Sequence, residues 1–442
     1  MLLKLLSSLF RFNGNSFNES AEFANFFERK KVLKSLNDGL LIDGKSLRLS
    51  ANSSYEHLAL IARTGGGKTS RYIIPNILTL DNCSMVITDP SGEIHAKTHK
   101  RLLKKGFNIK IINPTNLKES LQYNPLDFAE DYDQINEISK ILIRSANPNI
   151  KSGDEFWLSG AEKILNIIIL SLKGKDKELN QKKANLQDIK TLLNQFGTEE
   201  FNKFIARYAD ENTYSEYRGF LNGNEKMIQS FLSTAQISLD SLSNPLNAKL
   251  LEKSSINFQN LRDEKTAFFI IVPEQKLPLY TFLLNLIYTQ LFNFCMEKKS
   301  KKFLPIYFLL DEFGHLSIPN FSTIITTIRK YKVSISIILQ SISQLETRYS
   351  KAEANTILNG GISSKIFFSG ADLSTTQMLE QILGKSKIEK TDKYGNIGFK
   401  EESLLNSSSI RTLNDDKAIL IHANKKPILL SLHPYYKQKK FA

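Results

Sequence analysis

Residues 57–69 read His-Leu-Ala-Leu-Ile-Ala-Arg-Thr-Gly-Gly-Gly-Lys-Thr. The apolar run His57–Ile61 has the length and residue types of a short buried strand. Three glycines and a Lys-Thr pair follow it, and that order points to phosphate chemistry. Residues without side chains let successive backbone N–H groups curl round a polyphosphate, so Gly65, Gly66 and Gly67 form the cradle. Lys68 brings a point charge to the β- and γ-phosphates, and Thr69 an oxygen for Mg²⁺. Arg63, Thr64 and Ser70 complete the expected nucleotide-binding stretch. Ala62 stands where the pattern G-x-x-x-x-G-K-[ST] has its first glycine, so the loop must begin without a positive φ. Pro75, six residues past Thr69, should kink or end the helix that starts there.

A phosphate cradle needs a partner carboxylate. Phe303–Glu312, Phe-Leu-Pro-Ile-Tyr-Phe-Leu-Leu-Asp-Glu, provides one at the end of an apolar strand. Asp311 can hold Mg²⁺ through a water, and Glu312 is placed to polarise the attacking water. The run Val333–Leu339 ends in Gln340, whose amide can orient that water or sense the γ-phosphate. Glu312 and Gln340 are therefore the expected catalytic residues, with Thr69 and Asp311 as metal ligands. Arg329, just before that strand, and Arg411, near the C-terminus, could each act across a subunit boundary. No local pattern assembles a Ser-His-Asp or Cys-His arrangement from the six scattered histidines. His95 and His99 lie four apart and could share one helix face as a metal pair.

Short apolar or β-branched runs at Ser84–Thr88, Phe107–Ile112, Thr266–Val272, Leu304–Leu310, Val333–Leu339, Lys365–Ser369, Ala418–His422 and Ile428–Leu432 read as further strands. Helical patterns separate most of them, so the fold class is α/β with a predominantly parallel sheet. Between about 130 and 260 strand-like runs vanish and helical periodicity takes over, as in Ile164, Leu165, Ile168, Ile169 and Leu172. Lys68 and Asp311 are 243 positions apart, more than a bare nucleotide core requires, which independently demands an insertion. The expected division is a segment 1–54, a first nucleotide-binding part 55–129, an all-α insertion 130–260 and a second nucleotide-binding part 261–442 with a basic tail. Lys173–Lys190 reads as an exposed connection between helices. Leu277–Met296 carries no charge, yet Thr281, Asn285, Thr289 and Asn293 recur every four positions. That polar stripe marks a buried helix rather than a membrane span.

The chain of 442 residues has 41% hydrophobic and 24% charged residues, which suits two or three globular domains. Cys83 and Cys295 sit far apart in apolar runs, outside any C-x-x-C pair, so a reduced compartment without structural disulfides or zinc is expected. A net charge of +14 points to a polyanionic partner, nucleic acid or an anionic membrane surface. The basic tract Lys298–Lys302 and the tail 411–442 contribute to it. Met1–Phe12 is too short to span a bilayer and reads either as a small amphipathic surface anchor or as a packed terminal turn.

Together these motifs resemble the type IV coupling proteins, the TraG/TraD-like ATPases of conjugative DNA transfer and type IV secretion. Thr64–Thr69 followed by Ile74-Pro-Asn-Ile-Leu78 is similar to that family's loop and its I-P-N-L-L continuation, which accounts for Pro75. Asp89-Pro-Ser-Gly-Glu93 resembles its D-x-K-G-E segment, with Ser91 in place of the lysine, so Asp89 and Glu93 join the site candidates. Tyr123–Leu126, Phe156-Trp157, Leu310–Gly314, Leu339–Leu345, Asn359-Gly360, Asp372, Gly384, Arg411–Leu413, Lys426-Pro427 and Pro434–Tyr436 follow in the family's order. The resemblance implies a RecA-like P-loop NTPase core with an inserted all-α domain. It also implies ATP and Mg²⁺ as cofactors, and a homo-hexameric ring around single- or double-stranded DNA. Its members deliver relaxase-bound single strands to the secretion channel, so relaxase and channel are the implied partners. The expected location is cytoplasmic, peripheral at the inner face of the cell membrane, with a membrane-anchoring partner or the N-terminal segment supplying attachment. The alternatives are a nucleotide-gated docking protein that recruits substrates without pumping DNA, and a protein-remodelling ATPase.

Overall fold

Every second residue along the apolar runs meets a different core, and this sets the layering. In the computed structural model, which describes residues 20–34, 38–147, 153–181, 184–297, 303–391 and 397–441, nine strands form one sheet. They are β1 (Leu58–Ile61), β2 (Ser84–Thr88), β3 (Asn108–Ile112), β4 (Thr266–Ile270), β5 (Ile306–Leu310), β6 (Val333–Leu339), β7 (Ser364–Phe368), β10 (Lys417–His422) and β11 (Ile428–Ser431), with β8 (Lys385–Thr391) and β9 (Ile397–Ser403) forming a separate hairpin. Ala59, Ile61, Val86 and Phe308 pack into the core on one face, while Leu58, Leu60, Met85 and Ile87 pack into that on the other. Both faces are covered, as the continuous apolar runs require.

The spatial order is β11-β10-β7-β1-β6-β5-β2-β4-β3. From β7 to β3 neighbouring strands are parallel, with Leu60 opposite Ile338 and Phe308 opposite Ile335 in register. β10 and β11 close one edge antiparallel, Ile419 facing Phe367. The sheet is thus predominantly parallel, as expected.

The chain leaves the sheet after β3 and returns in β4, which pairs directly with β3. Every described element between them is helical. Glu155–Leu179 is the long axis of this block; the helices Tyr132–Ala146, Leu186–Asn194, Glu199–Tyr208, Glu211–Leu221 and Glu225–Ser238 each pack on it. Gly160 permits the closest approach, because a Cβ there would lie 2.3 Å from the Phe231 ring. The exposed connection expected over 173–190 is corrected: the helix continues through Lys173 to Leu179, and Lys173 Nζ donates to Leu126 O at 2.9 Å. Leu172 is still buried core, so apolar packing carries the helix into the lysine-rich stretch.

Leu277–Met296 is long and apolar enough to cross a membrane, but it is buried inside the protein. Its polar stripe faces the helix Tyr132–Ala146: Asn285 Nδ2 donates to Ser145 Oγ at 3.2 Å, and Asn293 Nδ2 to Glu137 Oε2 at 2.7 Å. Pro75 neither ends nor interrupts the helical path. Thr69–Ile73 winds as a wide π turn, Ile74 N–H reaching Thr69 O, and the α-helix Ile74–Thr79 then holds Pro75 in its first turn. There the missing N–H costs no helical bond. Residues Met1–Phe12 and Lys298–Lys302 lie outside the described residues.

Candidate active site

Three neighbouring strands end together at one edge of the sheet, and each delivers a polar group from its C-terminal tip. The phosphate-loop segment follows β1, Gln340 follows β6, and Asp311 and Glu312 follow β5. Strands in a sheet are about 4.8 Å apart, so side chains from three tips can meet. This is the crevice beyond the carboxyl ends of the strands where α/β sheets bind ligands.

The loop bends as its glycines demand. Gly65 and Gly67 have φ of 74° and 82°, values that a side chain disfavours. Ala62 is absent from the positive-φ residues and is anchored instead by its N–H to Leu339 O at 2.9 Å, which explains how alanine replaces the first glycine. Ser70 Oγ donates to Gly67 O at 3.3 Å. Arg71, which pattern reading passed over, folds back and donates from Nη1 to Gly66 O at 2.8 Å. A basic residue one turn past the loop was the available signal. Arg63 reaches the other way, to Asp415 Oδ1 at 3.4 Å, and Ser369 Oγ donates to the same oxygen at 3.0 Å.

Lys68 bridges both carboxylates, contacting Glu312 Oε1 and lying 3.2 Å from Asp311 Oδ1. Gln340 Nε2 donates to Glu312 Oε2 at 3.0 Å, and its own backbone N–H is held by Gln344 Oε1 at 2.9 Å. The side chains of Lys68, Asp311 and Glu312 are 12%, 6% and 9% exposed, so these charges interact in a poorly hydrated place. The Asp311 carboxyl is raised to about 6, the balance of burial, which pushes it up, Lys68, which pulls it partly back, and the Glu312 charge, which adds to the rise. Burial acts to lower the Lys68 ammonium, yet Asp311 and Glu312 outweigh it and hold that pKa above the ordinary lysine range. Lys68 therefore stays charged. Glu312 sits in the left-handed region with φ 54°, a strained position for glutamate of the kind that clusters at functional sites.

The donor set fits a magnesium nucleotide. Gly65 faces open space and Arg71 packs on Gly67, while Lys68, the Thr69 hydroxyl and Asp311 offer an ammonium and hard oxygen groups beside the loop.

The remaining candidates separate. Asp89, at the tip of β2 beside β5, is buried, but its Oδ2 accepts the His95 N–H at 2.8 Å and so caps the helix Glu93–Lys104. Glu93 pairs with Lys97 on that helix's exposed side, and no described contact joins it to the Lys68 cluster. Arg329 is exposed in the turn before β6, at the opposite edge of the sheet from the phosphate loop. Arg411 is exposed on the site's own side, where its carbonyl accepts the Gly370 N–H at 3.2 Å. The His95 and His99 rings stack with centroids 4.7 Å apart, and a ring nitrogen of His99 is engaged with His95 O at 2.9 Å, so the pair is packed side chain to side chain. Among the described residues the group with metal-ligand proximity is Glu274, Glu312 and His315, whose ligand atoms lie within 4.8 Å of one another. Glu274 comes from the loop after β4, which no local pattern links to Glu312.

Comparison with known proteins agrees with this architecture. The chain is 25% identical over 414 residues to Protein VirD4 of Rhizobium radiobacter, covering 88% of this chain and 58% of that one. It is 24% identical over 384 residues to the conjugal transfer protein TraG of the same organism, covering 83% and 58%. It thus spans less than two thirds of the length of these relatives. The plasmid coupling protein TrwB, solved in complex with ADP and Mg²⁺, has the same fold: TM-score 0.74 and 18% identity, covering 94% of this chain and 93% of that one. The family described as Type IV secretory system Conjugative DNA transfer matches residues 17–442. A match of that extent means that the chain belongs to the conjugative DNA-transfer family of type IV secretory systems.

Proposed function

We propose that the protein is an ATP-dependent DNA translocase and substrate receptor, a coupling protein that delivers relaxase-bound single-stranded DNA to a type IV secretion channel. The observation that carries this reading is the meeting of Lys68, Asp311, Glu312 and Gln340 at the tips of three adjacent parallel strands. Arg63–Ser70 hold the nucleotide, with Lys68 on its β- and γ-phosphates. Thr69 and Asp311 hold Mg²⁺, which when bound neutralises phosphate charge. Glu312 takes the proton of the attacking water, and Gln340, hydrogen-bonded to Glu312, orients it. The TrwB complex with ADP and Mg²⁺ supports this assignment by likeness of fold.

Grip on DNA comes from lysines and backbone amides on phosphates, in keeping with the net charge of +14, and so weakens steeply with salt. We assign a homo-hexameric ring at the cytoplasmic face of the cell membrane, with residues 130–260 as the inserted domain. ATP turnover with and without single-stranded DNA, in wild type, Lys68→Ala and Glu312→Gln, tests the proposal. DNA-stimulated turnover lost in both variants is expected; equal rates in all three with no DNA response refute it.

A further inference from the structure

An acidic cavity lies away from the Lys68 cluster, where the helical block joins the sheet. It has a volume of about 310 Å³ and sits between the turn Pro125–Phe128, the helix Tyr132–Ala146, residues 257–259 and the buried helix Leu277–Met296. Asp127, Glu130, Glu137 and Glu297 line it, and among the described residues no lysine or arginine does. Phe128, Phe258 and Phe294 form an aromatic wall, with ring centroids 4.3 Å and 6.0 Å apart along the series.

An acidic lining alone would be a solvated cleft. Thr289 distinguishes this one: it lines the cavity, is completely buried, and its Oγ1 has no hydrogen-bond partner. A buried hydroxyl left unpaired costs about 1–3 kcal/mol. The chain keeps it nonetheless on a helix whose neighbouring polar groups are all engaged: Gln290 donates to Pro125 O at 2.8 Å and Asn293 to Glu137 Oε2 at 2.7 Å. Burial also raises the Glu137 carboxyl above the usual range, Asn293 pulling it partly back.

We propose that this cavity binds a primary alkylammonium group. The ammonium's three N–H donors match the Glu137 carboxylate and the Thr289 hydroxyl, and the methylene stem lies along the phenylalanine wall, which also attracts the charge. A cavity of this size falls at the lower end of small-ligand sites. Two sources offer this chemistry, a free polyamine or the lysine side chain of a partner protein. Because Asp127 Oδ2 accepts the Ser254 N–H at 3.1 Å, the site bridges the outgoing and returning chains of the helical block. An occupant therefore steadies the block against the sheet.

Titration calorimetry of the full chain at physiological salt tests this with two probes, 1,5-diaminopentane for a free amine and Nα-acetyl-lysine amide for a protein side chain. The expected result is saturable binding of at least one probe, weakened about tenfold or more in both Thr289→Val and Glu137→Gln. Binding of the diamine alone identifies a free amine, and binding of the lysine amide identifies a side chain. Thr289→Val removes an unpaired hydroxyl at constant shape, so its melting temperature should not fall below wild type. Absence of saturable binding by either probe overturns the proposal. So does binding unchanged in either variant.

Discussion

Gln340 Nε2 donates to Glu312 Oε2 at 3.0 Å, while Lys68 holds the other oxygen of the same carboxylate. Glu312 is thereby fixed on both sides, in a backbone conformation that glutamate disfavours. Under the proposed function, this restraint pre-positions Glu312 as the base for one water. Replacing Gln340 by alanine should lower the ATP turnover number at least about tenfold and leave nucleotide affinity within about threefold, since orientation and not binding is lost. Gln340→Glu should be worse, because it sets a second carboxylate against Glu312. Steady-state turnover with parallel equilibrium binding checks both; an affinity loss as large as the rate loss would contradict the assignment.

Lys68 is shared as ion-pair partner by two largely buried carboxylates. Lys68→Met should abolish nucleotide binding and also cost about 3 kcal/mol of stability, because Asp311 and Glu312 are left buried without a counter-charge. Adding Glu312→Gln should restore part of that stability without restoring binding. Urea unfolding of the two single variants and the double variant measures the coupling.

Acid sensitivity has a separate origin in His57. It is buried at the start of β1 with φ 64°, its Nδ1 accepts the Ile335 N–H at 3.1 Å, and its Nε2 is unpaired. Burial lowers its pKa from 6.5 to about 3. Below 6.5 the unfolded chain takes up a proton that the folded chain refuses, so stability is lost as pH falls through this window. The slope from this residue is roughly 1 kcal/mol per pH unit between about pH 6 and 4. His57→Asn keeps an acceptor and tolerates the left-handed backbone. Its urea midpoint should vary less steeply over that range, and an unchanged slope would assign the acid limb elsewhere.

Two helical glycines should respond oppositely to alanine. At Gly174 a Cβ would lie 2.0 Å from Tyr208 O, a backbone atom that cannot rotate away, so Gly174→Ala should destabilise by about 2 kcal/mol. At Gly219, inside Glu211–Leu221, a Cβ meets nothing within 4 Å. Gly219→Ala should therefore stabilise by about 0.5–1 kcal/mol through helix propensity. Thermal melts of the two variants side by side test the packing of the helical block.

Much of this architecture was legible locally. Buried parallel strands must be continuously apolar, and β2 and β6 match their sequence runs end to end. The glycines and Lys-Thr pair announced the phosphate loop because few backbones need that combination. The β8–β9 hairpin stayed hidden because it packs no apolar face: Ile388 is 43% and Phe399 70% exposed, so its alternation is among charged residues. Glu93 was drawn in by its motif, and only the helix that turns it toward Lys97 removed it.

The sequence by itself determined the buried strands of the nine-stranded sheet and singled out the glycine-rich loop, Lys68, Asp311, Glu312 and Gln340 as candidates, since each depends on its nearest neighbours in the chain. Tertiary structure decided which of them meet. Sheet order is set by long-range pairing and by burial of both faces, and it places β6 between β1 and β5. That order sets Glu312 between the lysine and the glutamine, with Lys68 on one carboxylate oxygen and Gln340 Nε2 on the other. Strand direction puts Arg329 at the other end of β6, and helix packing leaves Thr289 buried without a hydrogen-bond partner beside an acidic cavity.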